Sequence, residues 1–161
     1  MIMDANDTTV MFSHKSDEWC TPDWLFYKLN KKYKFTLDPC STDDNHVVDK
    51  YYTKLSDGLS KSWANETVFV NPPYSEAFEW VAKSFDETHN GDCRCVVMLL
   101  PARTDSEWFH IFCMDADYVL FVRGRLKFSN SKNSAPFPSI IVVFENGDEF
   151  GSIPEIGAIN R

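Results

Sequence analysis

The sequence has 161 residues, 43% hydrophobic and 25% charged, enough for one compact domain with a core and too few for two ordinary ones. A net charge of −8 argues against a protein that coats nucleic acid non-specifically, and no run of about 18 apolar residues offers a membrane span. The five cysteines (Cys20, Cys40, Cys93, Cys95, Cys113) lack the spacing of a disulfide framework or a zinc site and read as reduced cytoplasmic thiols.

Residues 1–15 lack periodicity and read as a flexible arm, without the basic-then-apolar order of a secretory leader. A single domain is expected over 16–161. Thr21-Pro22-Asp23 supplies a cap candidate, a proline and an acid, so a helix is predicted over "PDWLFYKLNKKY". "YKFTLDPC" alternates as a strand ended by Asp38-Pro39, and "VVDKYYT" is a possible short one. Asp57-Gly58 marks a turn. "TVFV" reads as a buried strand, followed by a helix over "SEAFEWVAKSFDETH" with Ser75 as its cap.

Further on, "CVVMLL" is an apolar strand and "DSEWFHIFCMD" a short helix. "DYVLFV", "RLKF" and "SIIVVF" follow as strands, with a Ser/Asn/Pro-rich loop, expected to be mobile, before the last. Strands alternating with amphipathic helices point to a mostly parallel α/β sheet. The final strands have no helix between them, so an antiparallel hairpin should close one edge. Ligands bind such sheets at the carboxyl ends of the strands. There Asp38-Pro39-Cys40, Asn71-Pro72-Pro73-Tyr74 and Pro101-Ala102-Arg103 should converge.

Charge is uneven along the chain. Residues 118–144 hold no Asp or Glu but carry Arg123, Arg125, Lys127 and Lys132, and a second basic group is Lys28, Lys31, Lys32 and Lys34. Either stretch permits phosphate contacts, and either also reads as a solvated surface. His14, His46, His89 and His110 form no ligand spacing, and no metal site is expected.

The break after "TVFV" has chemical content. The Asn71 side-chain oxygen and the Pro72 carbonyl both accept hydrogen bonds, and proline adds no competing N–H. Two fixed acceptors match the two donors of one planar NH2 group and free its lone pair for attack. Tyr74 offers a face for an aromatic ring. The set suits alkylation of an exocyclic or amide NH2.

Asn71-Pro72-Pro73-Tyr74 after a strand resembles the motif of S-adenosylmethionine-dependent amino-methyltransferases. Further segments resemble, in order, those of compact phage-type, Dam-like DNA N6-adenine methyltransferases: "WCTP", "LDPC", "DGL", "LLPARTDSEWFH", "GRLKF" and "APFPSIIVVF". The resemblance spans about Ser16 to Phe144 and implies a Rossmann-like class I methyltransferase fold. It also implies direct methyl transfer to the N6 of an adenine flipped out of DNA.

By that resemblance Asn71, Pro72, Pro73 and Tyr74 are catalytic, and Thr21, Pro22, Asp38, Pro39, Cys40, Asp57 and Asn71 hold the cofactor. Tyr74, Phe137, Arg103, Arg123, Arg125 and Lys127 face the DNA. Thr21 also reads as a helix cap, Asp57 as a plain turn residue and Phe137 as loop packing. "DPCSTDDNH" lacks the family's Gly-rich turn, and the passage from Pro39 to Asn65 is short, so the fold should be trimmed there. The same motif serves RNA adenine, cytosine N4 and protein glutamine, and the missing glycines also fit an inactive nucleic-acid or cofactor binder. Implied use is protection of phage DNA in a bacterial cytoplasm.

Overall fold

The computed structural model describes residues 18–147 and 153–161, so the arm expected over residues 1–15 lies outside the described residues. In chain order the elements are α1 (Asp23–Tyr33), β1 (Thr67–Val70), α2 (Ala77–His89), β2 (Cys95–Pro101), α3 (Glu107–Ile111), β3 (Tyr118–Val122), β4 (Ser139–Glu145) and β5 (Glu155–Ile159). Short 3-10 turns lie at Gly58–Ser60, Tyr74–Glu76 and Cys113–Asp115.

The strands form one sheet in the order β1-β2-β4-β3-β5. β1 is parallel to β2 and β5 to β3, while β4 is antiparallel to both its neighbours. Four strands therefore share a direction, consistent with a Rossmann-like arrangement. The antiparallel pair β3–β4 exists as expected, but not at an edge: β5 takes the outer place beside β3.

Two predicted strands shrink. Leu37 bridges Val68 and Asp38 bridges Tyr51, both in parallel sense, and these bridges are what remain of the strands expected around them. "RLKF" forms no strand. Its alternation is real, with Leu126 and Phe128 buried between exposed Arg125 and Lys127, but its one backbone partner across the loop is the Ala135 N–H on the Leu126 carbonyl. No α-helix occurs between Tyr33 and Ala77, so the trimmed passage is short in the fold too.

Helices cover both sheet faces. Successive strand residues point to opposite sides. Val68, Val96, Met98, Leu100, Ile140 and Val142 pack with Trp80 and Val81 of α2 and Trp108 and Phe109 of α3. Phe69, Val97, Leu99, Ile141 and Val143 pack with Leu25, Phe26 and Leu29 of α1 and with Leu126 and Phe128. This double burial is why β2 and β4 read as unbroken apolar runs. Each fully buried aliphatic side chain contributes roughly 1.5–3 kcal/mol.

The helix starts differ from expectation. Pro22, at φ −64°, precedes α1, and its carbonyl accepts the Leu25 and Phe26 N–H groups. Thr21 does not cap the helix, since no side-chain hydrogen bond does. Ser75 lies within the 3-10 turn rather than at the cap of α2, a position taken by Glu76.

Candidate active site

Because β1, β2 and β3 run the same way, Asn71, Ala102-Arg103 and Arg123 leave the sheet at one edge, where the Asp38 bridge also ends. A cavity of about 580 Å3 opens there. Its size falls within the roughly 300–1,000 Å3 of ordinary ligand pockets. Of the residues singled out in the sequence, Thr21, Asp38, Pro39, Cys40, Asp57, Asn71, Pro72 and Pro73 line it. Pro22, Tyr74, Phe137, Arg103, Arg123, Arg125 and Lys127 stand outside that lining. The four basic residues are exposed. Of the other basic group, Lys32 lies 5.1 Å from the ring of Tyr118, at the opposite end of β3, whereas Lys28 Nζ donates to the Asn160 carbonyl just past β5.

Asn71 has a defined orientation. Its Nδ2 donates to the Trp19 carbonyl and, at 3.0 Å, to Thr21 Oγ1. A carbonyl only accepts, so the nitrogen must face that way. The amide oxygen, on the other side, is buried with no hydrogen-bond partner. An unpaired buried acceptor costs about 1–3 kcal/mol, and a donor reaching this oxygen would relieve that cost.

Asp38 is only 4% exposed. Its Oδ2 accepts the Val47 N–H at 3.1 Å and its Oδ1 the Cys40 N–H at 3.3 Å. Burial pushes its carboxyl up to about 6, against the pull of those two amides. The neighbouring Cys40 thiol is also driven up by burial, and then by the Asp38 charge, so it is no nucleophile.

The turn after Asp38 holds no glycine, and Gly58 of the facing segment packs directly against it. A Cβ on Gly58 would meet the Pro39 carbonyl oxygen at 2.0 Å, and the Trp63 Nε1–H holds the Gly58 carbonyl at 3.0 Å. Asp57 is exposed, lines the cavity and has left-handed backbone at φ 52°. It is both turn residue and cavity wall. These acceptors fit a cofactor with an amino group and an adenine ring: a buried carboxylate, Asp38, and a second acid, Asp57.

Tyr74 and Phe137 form an aromatic flank. They meet edge to face at 5.5 Å, and Phe137 meets Trp19 at 5.4 Å in the same manner. Trp19 lines the cavity, so it joins this flank to it. Its side chain was not singled out in the sequence, although it stands two residues before the Thr-Pro pair. The Ser/Asn/Pro-rich loop bonds to its surroundings at both ends: Pro138 accepts from the Ala102 N–H at 2.8 Å, and Ser129 donates to the Cys20 carbonyl at 2.9 Å. Among the described residues no group of His, Cys, Asp or Glu is placed to hold a metal ion.

A family profile described as "DNA N-6-adenine-methyltransferase (Dam)" matches residues 8–157. A DNA N-6-adenine-methyltransferase of Haemophilus phage HP1 is 28% identical over 151 residues, covering 86% of each protein. One of Escherichia phage T1 is 31% identical over 113 residues, covering 68% of this chain and 46% of that protein. The profile covers most of the chain, and this chain belongs to the DNA N-6-adenine-methyltransferase (Dam) family.

Proposed function

We propose that this chain, a class I methyltransferase by fold, uses S-adenosylmethionine to methylate the N6 of an adenine flipped out of DNA. Family membership carries the reaction; the orphaned Oδ1 of Asn71 carries the assignment of its centre. S-adenosylmethionine, when bound, supplies an electrophilic methyl group. Asp38 and Asp57, with the Pro39-Cys40 turn between them, would hold it in the cavity.

The chain's own part is positioning. Asn71 Oδ1 and the Pro72 carbonyl take the two N6 hydrogens, which localises the lone pair on N6. The Pro73 carbonyl already accepts the Glu76 N–H at 3.0 Å, which sets the turn that follows. Tyr74 and Phe137 stack on the base and keep water from it. After transfer the same acceptors hold the two protons of the cationic N6, one of which is lost to bulk water as the methylated base leaves the site. Orienting the two reactants supplies much of the acceleration, so no strong general base is required. Arg103, Arg123, Arg125 and Lys127, on the same sheet edge, bind phosphates or base edges. We place the reaction in the cytoplasm, beside its DNA.

Labelled cofactor offered with DNA, RNA and protein tests this. Label should enter DNA as N6-methyladenine; label confined to RNA or protein overturns the reading.

A further inference from the structure

Asn71 must keep its oxygen turned away from the strap formed by Glu18, Trp19, Cys20 and Thr21. The amide can rotate by half a turn and then presents Nδ2 to the substrate amine, donor against donor. What prevents this is the strap: the Trp19 carbonyl and Thr21 Oγ1 both take Nδ2. The strap in turn has no secondary structure of its own.

It is held instead by two residues more than a hundred positions away. The Asn130 amide works in both directions, with Oδ1 accepting the Cys20 N–H at 3.1 Å and Nδ2 donating to the Glu18 carbonyl at 2.9 Å. Ser129 adds its N–H to the Cys20 carbonyl at 2.9 Å and its Oγ to the Thr21 carbonyl at 3.1 Å. Four bonds clasp the four-residue stretch Glu18 to Thr21, and Asn71 Nδ2 bonds to the same stretch. Ser129 and Asn130 belong to the loop that carries Arg125, Lys127 and Phe137.

We propose that Thr21 and Asn130 are positioning residues, Thr21 seconding the Trp19 carbonyl in holding Asn71 Nδ2 and Asn130 clasping the strap that carries both acceptors. The loop that meets DNA is thereby wired to the acceptor that meets the base. This rests on the reading of Asn71 as the acceptor for N6. It also moves Thr21 from cofactor ligand to orienter of a neighbour.

The test uses Thr21→Val, Thr21→Ser, Asn130→Ala and Asn130→Ser in the full chain. Steady-state methyl transfer to DNA is measured with each, alongside the side-chain amide resonance of Asn71 in 15N-labelled protein without ligand. Thr21→Val and Asn130→Ala should each lower kcat by about 10- to 100-fold, the scale of a misplaced reacting group, with KM for S-adenosylmethionine within about twofold. Thr21→Ser, which keeps the hydroxyl, should restore most of kcat. In both damaged variants the Asn71 amide protons should shift and exchange faster.

Three results overturn the proposal: Thr21→Ser as slow as Thr21→Val, a rise in KM for S-adenosylmethionine with kcat unchanged, or an Asn71 resonance that does not move. If the wild type transfers nothing, the functional reading falls, but the resonance still decides whether the strap orients Asn71. Should Asn130→Ala fail to fold, Asn130→Ser gives the same readouts.

Discussion

Gly58 sits so close to Pro39 that a single added carbon would lie 2.0 Å from the Pro39 carbonyl oxygen. The obstruction is backbone, which cannot swing aside. Gly58→Ala should therefore push apart the turns that bear Asp38 and Asp57. Overpacking of this kind costs typically 1–3 kcal/mol, occasionally more. We expect a lower Tm together with weaker S-adenosylmethionine binding in calorimetry; an unchanged affinity in the folded protein would mean that the two turns do not form one cofactor wall.

Asn71→Ala removes the orphaned acceptor and leaves the Asp38 side of the cavity intact. Cofactor affinity should stay within a few-fold, while transfer falls by about 10²–10³, the usual loss for one well-placed polar group. A fully active Asn71→Ala protein would contradict the mechanism.

Cofactor affinity should depend on pH through Asp38. Its carboxyl titrates near 6 because burial disfavours the charge. Below that pH it is neutral and meets the cofactor's ammonium group weakly; above it, the carboxylate pairs with that group. Affinity is expected to rise as pH climbs through about 6 and then to level off. Stability of the ligand-free protein should move the opposite way. The folded state holds the proton more tightly than the unfolded chain, so stability declines between the unfolded value of 3.8 and about 6. Calorimetric titrations and melts across this range check both signs, and Asp38→Asn should flatten both profiles.

Tyr74→Ala and Phe137→Ala both remove aromatic surface from the flank beside Trp19. Stacking of a base on one aromatic ring is worth about 1–3 kcal/mol. Each variant should raise KM for DNA or lower kcat more than it lowers Tm. A collapse in Tm with normal activity in the folded fraction would assign these rings to packing alone.

Much of this was legible in the chain because burial writes itself as apolar runs: β1, β2 and β4 fall where "TVFV", "CVVMLL" and "SIIVVF" lie, and β3 falls at "DYVLFV" although Phe121 in it is exposed. The motif turn was legible because prolines and Asn71 interrupt such a run abruptly. β5 was not. Only Ile159 in it is buried, and Gly157 is there because a Cβ would press 2.8 Å from the Leu120 side chain. Nor was the strap: Cys20 and Asn130 are 110 residues apart, and a polar pair at that distance leaves no periodic trace. "RLKF" misled because alternation reports which side chains are buried, not whether a second strand lies beside them.

The antiparallel strand in the middle of the sheet also sets an order of events. β4 touches β2 on one side and β3 on the other, and among the described residues no other strand joins the two halves. On the ribosome, everything up to Val122 emerges as two separate edges with nothing to close them. Pairings this distant in sequence form slowly. Until Ser139 to Glu145 slides between the halves, there is no common edge on which Asn71 and Arg123 can meet. The strand made almost last is the one that turns two fragments into an enzyme.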